Sequence, residues 1–147
     1  MNTEYARLQM VNQQVRGWNV YDEHVLDMLR DLPREHFVPA EYEALAFAEV
    51  EIPLGHGESM MTPTIEGRLL QALGLQGNER VLEIGTGSGF MTACLAKLGG
   101  AVTSYEIAYA PLDIFVDDGS TDNTAAVLEG LCRRQPAFHV VALPYNQ

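Results

Sequence analysis

The stretch Val81-Leu82-Glu83-Ile84-Gly85-Thr86-Gly87-Ser88-Gly89 runs from apolar residues straight into three glycines at alternate positions. The apolar run reads as a short strand, the glycines as a sharp turn, and residues 88–98 as a helix closed by Gly99-Gly100. Val102–Glu106 reads as the next strand. Strand, helix and strand at this spacing form a βαβ unit whose first turn is glycine-rich. Glycines in such a turn tighten it, let a ligand approach the backbone, and let the helix sit close to the strand.

Two acids sharpen the ligand reading. Glu83 stands two residues before the first glycine, at the end of its strand, where a carboxylate can face a ligand pocket. Glu106 ends the following strand, about 20 residues on, where a carboxylate can accept hydrogen bonds from a pair of ribose hydroxyls. The order Glu-x-Gly-x-Gly-x-Gly differs from the dinucleotide fingerprint Gly-x-Gly-x-x-Gly. An acid ahead of the loop suits a sulfonium ligand that carries no pyrophosphate. The expected cofactor is therefore S-adenosylmethionine, held by Glu83, Gly85, Thr86, Gly87, Ser88, Gly89 and Glu106. A purely structural glycine turn is the competing reading.

Composition restricts the partners. With 20 acidic against 9 basic residues in a chain of 147, the net charge is −11, so a nucleic-acid backbone would be repelled. No run of about 18 apolar residues is present and no signal peptide is visible, so no membrane partner is expected and the cytoplasm is the expected compartment. The two cysteines, Cys94 and Cys132, form neither a disulfide framework nor a metal cluster, and no metal is expected.

Upstream of the loop the pattern is helical. Tyr5, Leu8, Val11 and Val15 predict an amphipathic helix over 3–16 that ends near Gly17. A second helix is predicted over 22–31, capped by Asp22 and stopped by Pro33, with Val25, Leu26, Met28 and Leu29 as its apolar side. Pro39 suits a short helix through about Phe47. Ile52-Pro53-Leu54-Gly55-His56-Gly57 reads as a loop. Pro63 opens a third long helix carrying Ile65, Leu69, Leu70 and Leu73 until Gly74.

Residues 1 to about 107 resemble the protein-L-isoaspartate O-methyltransferase family. The likeness rests on Val81–Gly89 together with Pro33-Arg34-Glu35-His36-Phe37-Val38-Pro39, Ile52-Pro53-Leu54-Gly55-His56-Gly57 and Pro63, in that family's order. It implies methyl transfer from S-adenosylmethionine to the carboxylate of an isoaspartyl residue in a protein or peptide, a repair step. The family pattern after His-Gly is typically Gln-Thr-Ile-Ser-Gln-Pro, whose serine is linked to catalysis. This chain reads Glu58-Ser59-Met60-Met61-Thr62-Pro63 and so places Met61 at the serine position. A thioether donates no hydrogen bond, which leaves Ser59, Thr62 and His56 as the candidates for that role. Impaired turnover is the expectation.

The likeness stops after Glu106-Ile107. Leu112–Val116 reads as a strand, Asp117-Asp118-Gly119-Ser120 as a turn, residues 122–134 as a helix, and Phe138–Leu143 as a last strand. Pro111–Thr124, with the tail Val140–Gln147, resembles nucleotide-sugar glycosyltransferases of the GT-A fold, which would give Asp117 and Asp118 a nucleotide contact. Residues 107–111 are too few for a crossover between parallel strands, which takes a dozen residues or more. The change of family and the missing crossover coincide, as in a composite, chimeric chain. The expected architecture is α/β: an incomplete Rossmann-like sheet of the S-adenosylmethionine-dependent methyltransferase type with an N-terminal helical region. Its parts are 1–107 (helices over 1–75, βαβ over 80–107) and 108–147, a strand-helix-strand segment. An incomplete sheet leaves an edge or an apolar face, so self-association is expected. A non-catalytic nucleotide-binding α/β fragment and a nucleotide-sugar glycosyltransferase fragment are the alternatives.

Overall fold

The computed structural model describes residues 3–107 and the strand 138–142. The first helical stretch begins as α1 (Thr3–Gln9), widens into a π-helical turn over Met10–Val15 and tightens to a 3-10 turn over Arg16–Trp18. The wide turn shifts the periodicity, so Met10 and Val11 are both buried with Val15, while Tyr5 of the predicted apolar stripe stays exposed. Helix α2 (Glu23–Asp31) starts where its cap requires: the Asp22 carboxylate accepts from the His24 N–H at 2.9 Å. Its buried side is Val25, Leu26, Met28 and Leu29, as the spacing predicts. Residues Ala40–Leu45 after Pro39 form a 3-10 turn.

The segment expected as a loop is a hairpin. Strand β1 (Ile52–Gly55) pairs antiparallel with β2 (Glu58–Met60), and His56-Gly57 turns the chain with φ of 53° and 79°. Two positive φ values in a two-residue loop make the turn whose twist matches paired strands. The register slips between Pro53 and Gly55, which leaves Leu54 as the extra residue of a bulge.

Helix α3 (Pro63–Leu73) begins at Pro63 and closes at Gly74 as expected, but its buried side differs from the apolar reading. Pro63, Thr64, Glu66, Gly67 and Leu70 face inward, whereas Ile65, Leu69 and Leu73 are exposed. Close packing explains the inversion. A Cβ on Gly67 would stand 2.6 Å from Val15 Cγ1, so the small side of α3 lies against the first helical stretch.

Strand β3 (Arg80–Ile84), helix α4 (Phe90–Leu98) and strand β4 (Ala101–Ile107) form the predicted βαβ unit, with β3 and β4 parallel from Arg80↔Ala101 to Ile84↔Tyr105. Strand β5 (Phe138–Ala142) lies antiparallel on β4, giving the order β3-β4-β5. The predicted strand 112–116, the turn with Asp117 and Asp118, and the helix 122–134 lie outside the described residues. Among the described residues β3 has a neighbour on one side only, and Leu82 and Ile84 are 61% and 66% exposed. A core of Met10, Val11, Val15, Val25, Leu26, Leu29, Ile52, Leu70, Phe90, Cys94 and Val102 joins the helices to the sheet.

Candidate functional site

The glycine loop leaves β3 held by its neighbour strand. The Gly85 and Thr86 N–H groups donate to the Tyr105 carbonyl at 2.6 and 3.2 Å, so the loop begins fastened to the end of β4. Gly87 takes φ of 53°, and a Cβ there would lie 3.4 Å from Leu54 Cδ1. Both the conformation and the bulged β1 residue above it favour glycine. Ser88 Oγ accepts weakly from the Phe90 N–H at 3.3 Å at the start of α4.

Both predicted acids stand beside this loop, Glu106 in direct contact and Glu83 by way of Ser104. Glu106, at the end of β4, accepts from the Gly87 N–H at 2.5 Å. Glu83 Oε2 accepts from Thr92 Oγ1 and Ser104 Oγ, each at 2.5 Å, and Ser104 Oγ is 2.6 Å from Thr86 Oγ1. Burial raises the Glu83 carboxyl above its ordinary range; the Ser104 and Thr92 hydroxyls oppose the rise, and the Glu106 charge adds to it. Thr92 and Ser104 escaped the sequence reading. Their signal is positional only, a hydroxyl on α4 and another on β4 on the side facing Glu83.

Beside the loop lies a cleft of about 450 Å³, walled by Leu54, Met60, Met61, Leu69, Leu73 and the segment Val81–Ser88. Among the described residues its lining includes Glu83 and Glu66, the latter buried and taken up by Arg34, and no basic side chain. An apolar wall with Glu83 and backbone N–H groups at one end suits a cationic ligand bearing hydroxyls and an apolar ring. The donor set fits the expected sulfonium cofactor. Among the described residues no group of three His, Cys, Asp or Glu side chains is placed to hold a metal ion, and no helix is long and apolar enough to cross a membrane.

The candidates for the missing serine function separate in space. Met61 and Ser59 line the cleft, and Ser59 Oγ donates to Glu51 Oε2 at 3.2 Å. Thr62 is not among the lining residues; its hydroxyl is 3.3 Å from that of Thr64. His56 sits at the hairpin turn, exposed and away from the cleft wall.

A buried Arg34–Glu66 pair stands behind Met61. Arg34 is 0% and Glu66 1% exposed, and Arg34 Nη1 donates to both Glu66 oxygens at 3.0 and 2.8 Å. Burial pushes Glu66 from 4.5 up to about 8, against the lowering charge and hydrogen bond of Arg34 and with a further push from Glu49. The Glu49 carboxylate in turn accepts from the Thr64 N–H at 3.2 Å and from the Thr64 hydroxyl. Cys94, a buried free thiol nearby, is raised well above its ordinary value, chiefly by burial. The sequence marked Arg34 only as part of a motif and did not mark Glu66, whose position on a helix gives no sign of burial.

This architecture is that of a Rossmann-like methyltransferase fold. Residues 6–109 match the family model described as Protein-L-isoaspartate(D-aspartate) O-methyltransferase (PCMT), and the chain belongs to that family. It is 40% identical over 104 residues to Protein-L-isoaspartate O-methyltransferase 2 of Anaeromyxobacter sp. (strain Fw109-5), covering 71% of this chain and 43% of that one. Identity to Protein-L-isoaspartate O-methyltransferase 1 of Rhodopseudomonas palustris (strain HaA2) is 44% over 100 residues, covering 68% and 41%. The chain thus spans about two fifths of the length of these relatives. A solved protein-L-isoaspartate O-methyltransferase shares the fold with a TM-score of 0.55 at 18% identity, covering 95% of this chain and 42% of that one. A PCMT structure from Plasmodium falciparum, in complex with S-adenosyl-L-homocysteine, has a TM-score of 0.54 at 19% identity and covers 93% and 58%. The glycosyltransferase resemblance of residues 108–147 finds no support in these comparisons.

Proposed function

We propose that this chain binds S-adenosylmethionine through Glu83, the loop Gly85–Gly89 and Glu106, and that it serves carboxyl O-methylation of isoaspartyl residues in proteins or peptides, with turnover lowered by Met61. The observation that carries the reading is the placement of the two strand-end carboxylates beside the glycine loop, with Glu106 on the Gly87 N–H and Glu83 held by Thr92 and Ser104. Membership of the family and its Plasmodium falciparum structure with S-adenosyl-L-homocysteine support the choice of ligand. The bound cofactor would supply an activated methyl group on sulfur. The chain's own part is alignment and exclusion of water: Glu106 exchanges its backbone partner for ribose hydroxyls, while Leu54, Met60 and Met61 keep the cleft apolar.

We further propose that the methyltransferase-like part ends near 107, close to the limit of the family match at 109, and that residues 108–147 form a separate segment of a composite chain. The free thiol of Cys94 fits a reducing compartment, and the cytoplasm is the proposed location.

A second reading, a nucleotide-binding fragment without turnover, is favoured by Met61 at the serine position of the family pattern. Calorimetric titration with S-adenosyl-L-homocysteine and with a uridine nucleotide sugar, followed by methylation of an isoaspartyl peptide, separates the readings. Binding of the first ligand alone supports the proposal, and peptide methylation then decides between slow turnover and none. Failure to bind S-adenosyl-L-homocysteine sinks it.

A further inference from the structure

The buried Arg34 guanidinium reaches four separate parts of the fold beside the cleft: Ala46, the Met61 carbonyl, Glu66 on α3 and Phe90 at the start of α4. It lies in the 3-10 turn Arg34–Phe37 and is fully buried. Nε donates to the Ala46 carbonyl at 2.8 Å, at the end of the 3-10 turn that follows Pro39. Nη1 grips the Glu66 carboxylate on α3, and Nη2 donates to the Met61 carbonyl at 2.9 Å. Its carbon sits 5.0 Å from the ring centre of Phe90, the first residue of α4 after the glycine loop, and that ring meets Phe37 edge-on at 5.5 Å.

A guanidinium holds its five donors in one rigid plane, so groups bound to different nitrogens are fixed relative to each other. Here that plane links the Met61 carbonyl to α3 on one side and to the start of α4 on the other. An Arg–Glu pair this deep is a poor source of stability, because apolar residues of similar volume often stabilise as well or better. What apolar residues cannot do is hold a backbone carbonyl in a set direction. We propose that Arg34 and Glu66 are positioning residues: they fix Met61 and the loop into α3 against the glycine loop, so that an acceptor entering beside Met61 is aligned with the cofactor. The inference rests on the methyltransferase reading above.

The double variant Arg34→Met/Glu66→Leu removes the tether and keeps the volume apolar. Arg34→Lys keeps the charge and loses the fork, and provides the comparison if the double variant does not fold. The thermal midpoint, S-adenosyl-L-homocysteine affinity, amide hydrogen exchange at Thr62, Thr64 and Ile65, and kcat and KM for an isoaspartyl peptide are measured on each. The expected result is a folded protein with affinity within about threefold of the parent, exchange at those amides faster by about tenfold or more, and kcat lower by about tenfold or more at similar KM. Unchanged exchange in a folded variant overturns the inference whether or not the parent turns over. Faster exchange with an unchanged kcat overturns the role in alignment. A parent that binds no S-adenosyl-L-homocysteine, while its loop is released by the variants, refutes the methyltransferase reading and the alignment role with it, and leaves a purely structural tether.

Discussion

At the scale of single residues, the site is built from groups whose conformation or charge state is costly to change. Gly87 adopts a left-handed φ of 53° beneath Leu54. An alanine there pays roughly 1–2 kcal/mol for the backbone alone, before any shift of Leu54. Gly87→Ala is therefore expected to weaken S-adenosyl-L-homocysteine binding by about 5- to 30-fold, read by calorimetry, since the unliganded loop relaxes more easily than the occupied one. An affinity unchanged in Gly87→Ala would place the ligand elsewhere. Glu66 yields a pH prediction with a definite sign. Its carboxyl titrates near 8 in the fold and near 4.5 when exposed, so the folded state holds the extra proton between those values. Stability from this group is complete below pH 4.5 and is lost as pH rises through about 8. The charges that face it are Arg34 and Glu49, with the Cys94 thiol beside them held neutral by burial. Thermal midpoints measured across this window should fall with rising pH in the parent and lose that component in Glu66→Gln. An equal slope in the two proteins would show that Glu66 is ionised throughout.

At the scale of elements, helix caps and the βαβ unit were legible because their signals are local. Asp22 before α2, Pro63 at the start of α3, and the glycines after β3 each act within one turn of chain. Asp22→Ala should cost about 1 kcal/mol in urea denaturation, through loss of the bond to the His24 N–H. Two elements were not legible. The hairpin of β1 and β2 has strands of four and three residues, too short for alternation to show, and Pro53, Gly55 and Gly57 imitate a loop. The inward side of α3 defied its hydropathy because the contact with Val15 selects for small size at Gly67 and Arg34 selects for charge at Glu66. Gly67→Ala tests the first selection. Its methyl group would stand 2.6 Å from Val15 Cγ1, and the overpacking should cost about 1–3 kcal/mol, read as a lower urea midpoint at unchanged slope. A midpoint equal to the parent's would mean that α3 and the first helical stretch can move apart freely.

At the scale of the whole molecule, the sheet among the described residues is short, as the sequence leads one to expect. The motifs carry one βαβ unit, and among the described residues β3 pairs with β4 alone while β5 closes the other side of β4. The two acids beside the glycine loop were readable because each stands near a strand end next to it; Thr92, Ser104, Arg34 and Glu66 were not, because only tertiary packing brings them to this region. Among the described residues the same geometry leaves Leu82 and Ile84 on β3, with Leu69 and Leu73 on α3, as exposed apolar surface beside a strand edge that no described strand pairs. Edges of this kind recruit other strands unless charge opposes them. With a net charge of −11, two copies repel at low ionic strength, and salt shortens that repulsion to about 8 Å at physiological strength. Self-association should therefore rise with salt, in sedimentation velocity over a concentration series. Ile84→Lys should reverse it by placing a solvated cation on the edge strand, with an unchanged urea midpoint and circular dichroism spectrum as the control for an intact fold, because Ile84 also lines the ligand cleft. A monomer at every salt and protein concentration would mean that this face is covered within the chain itself.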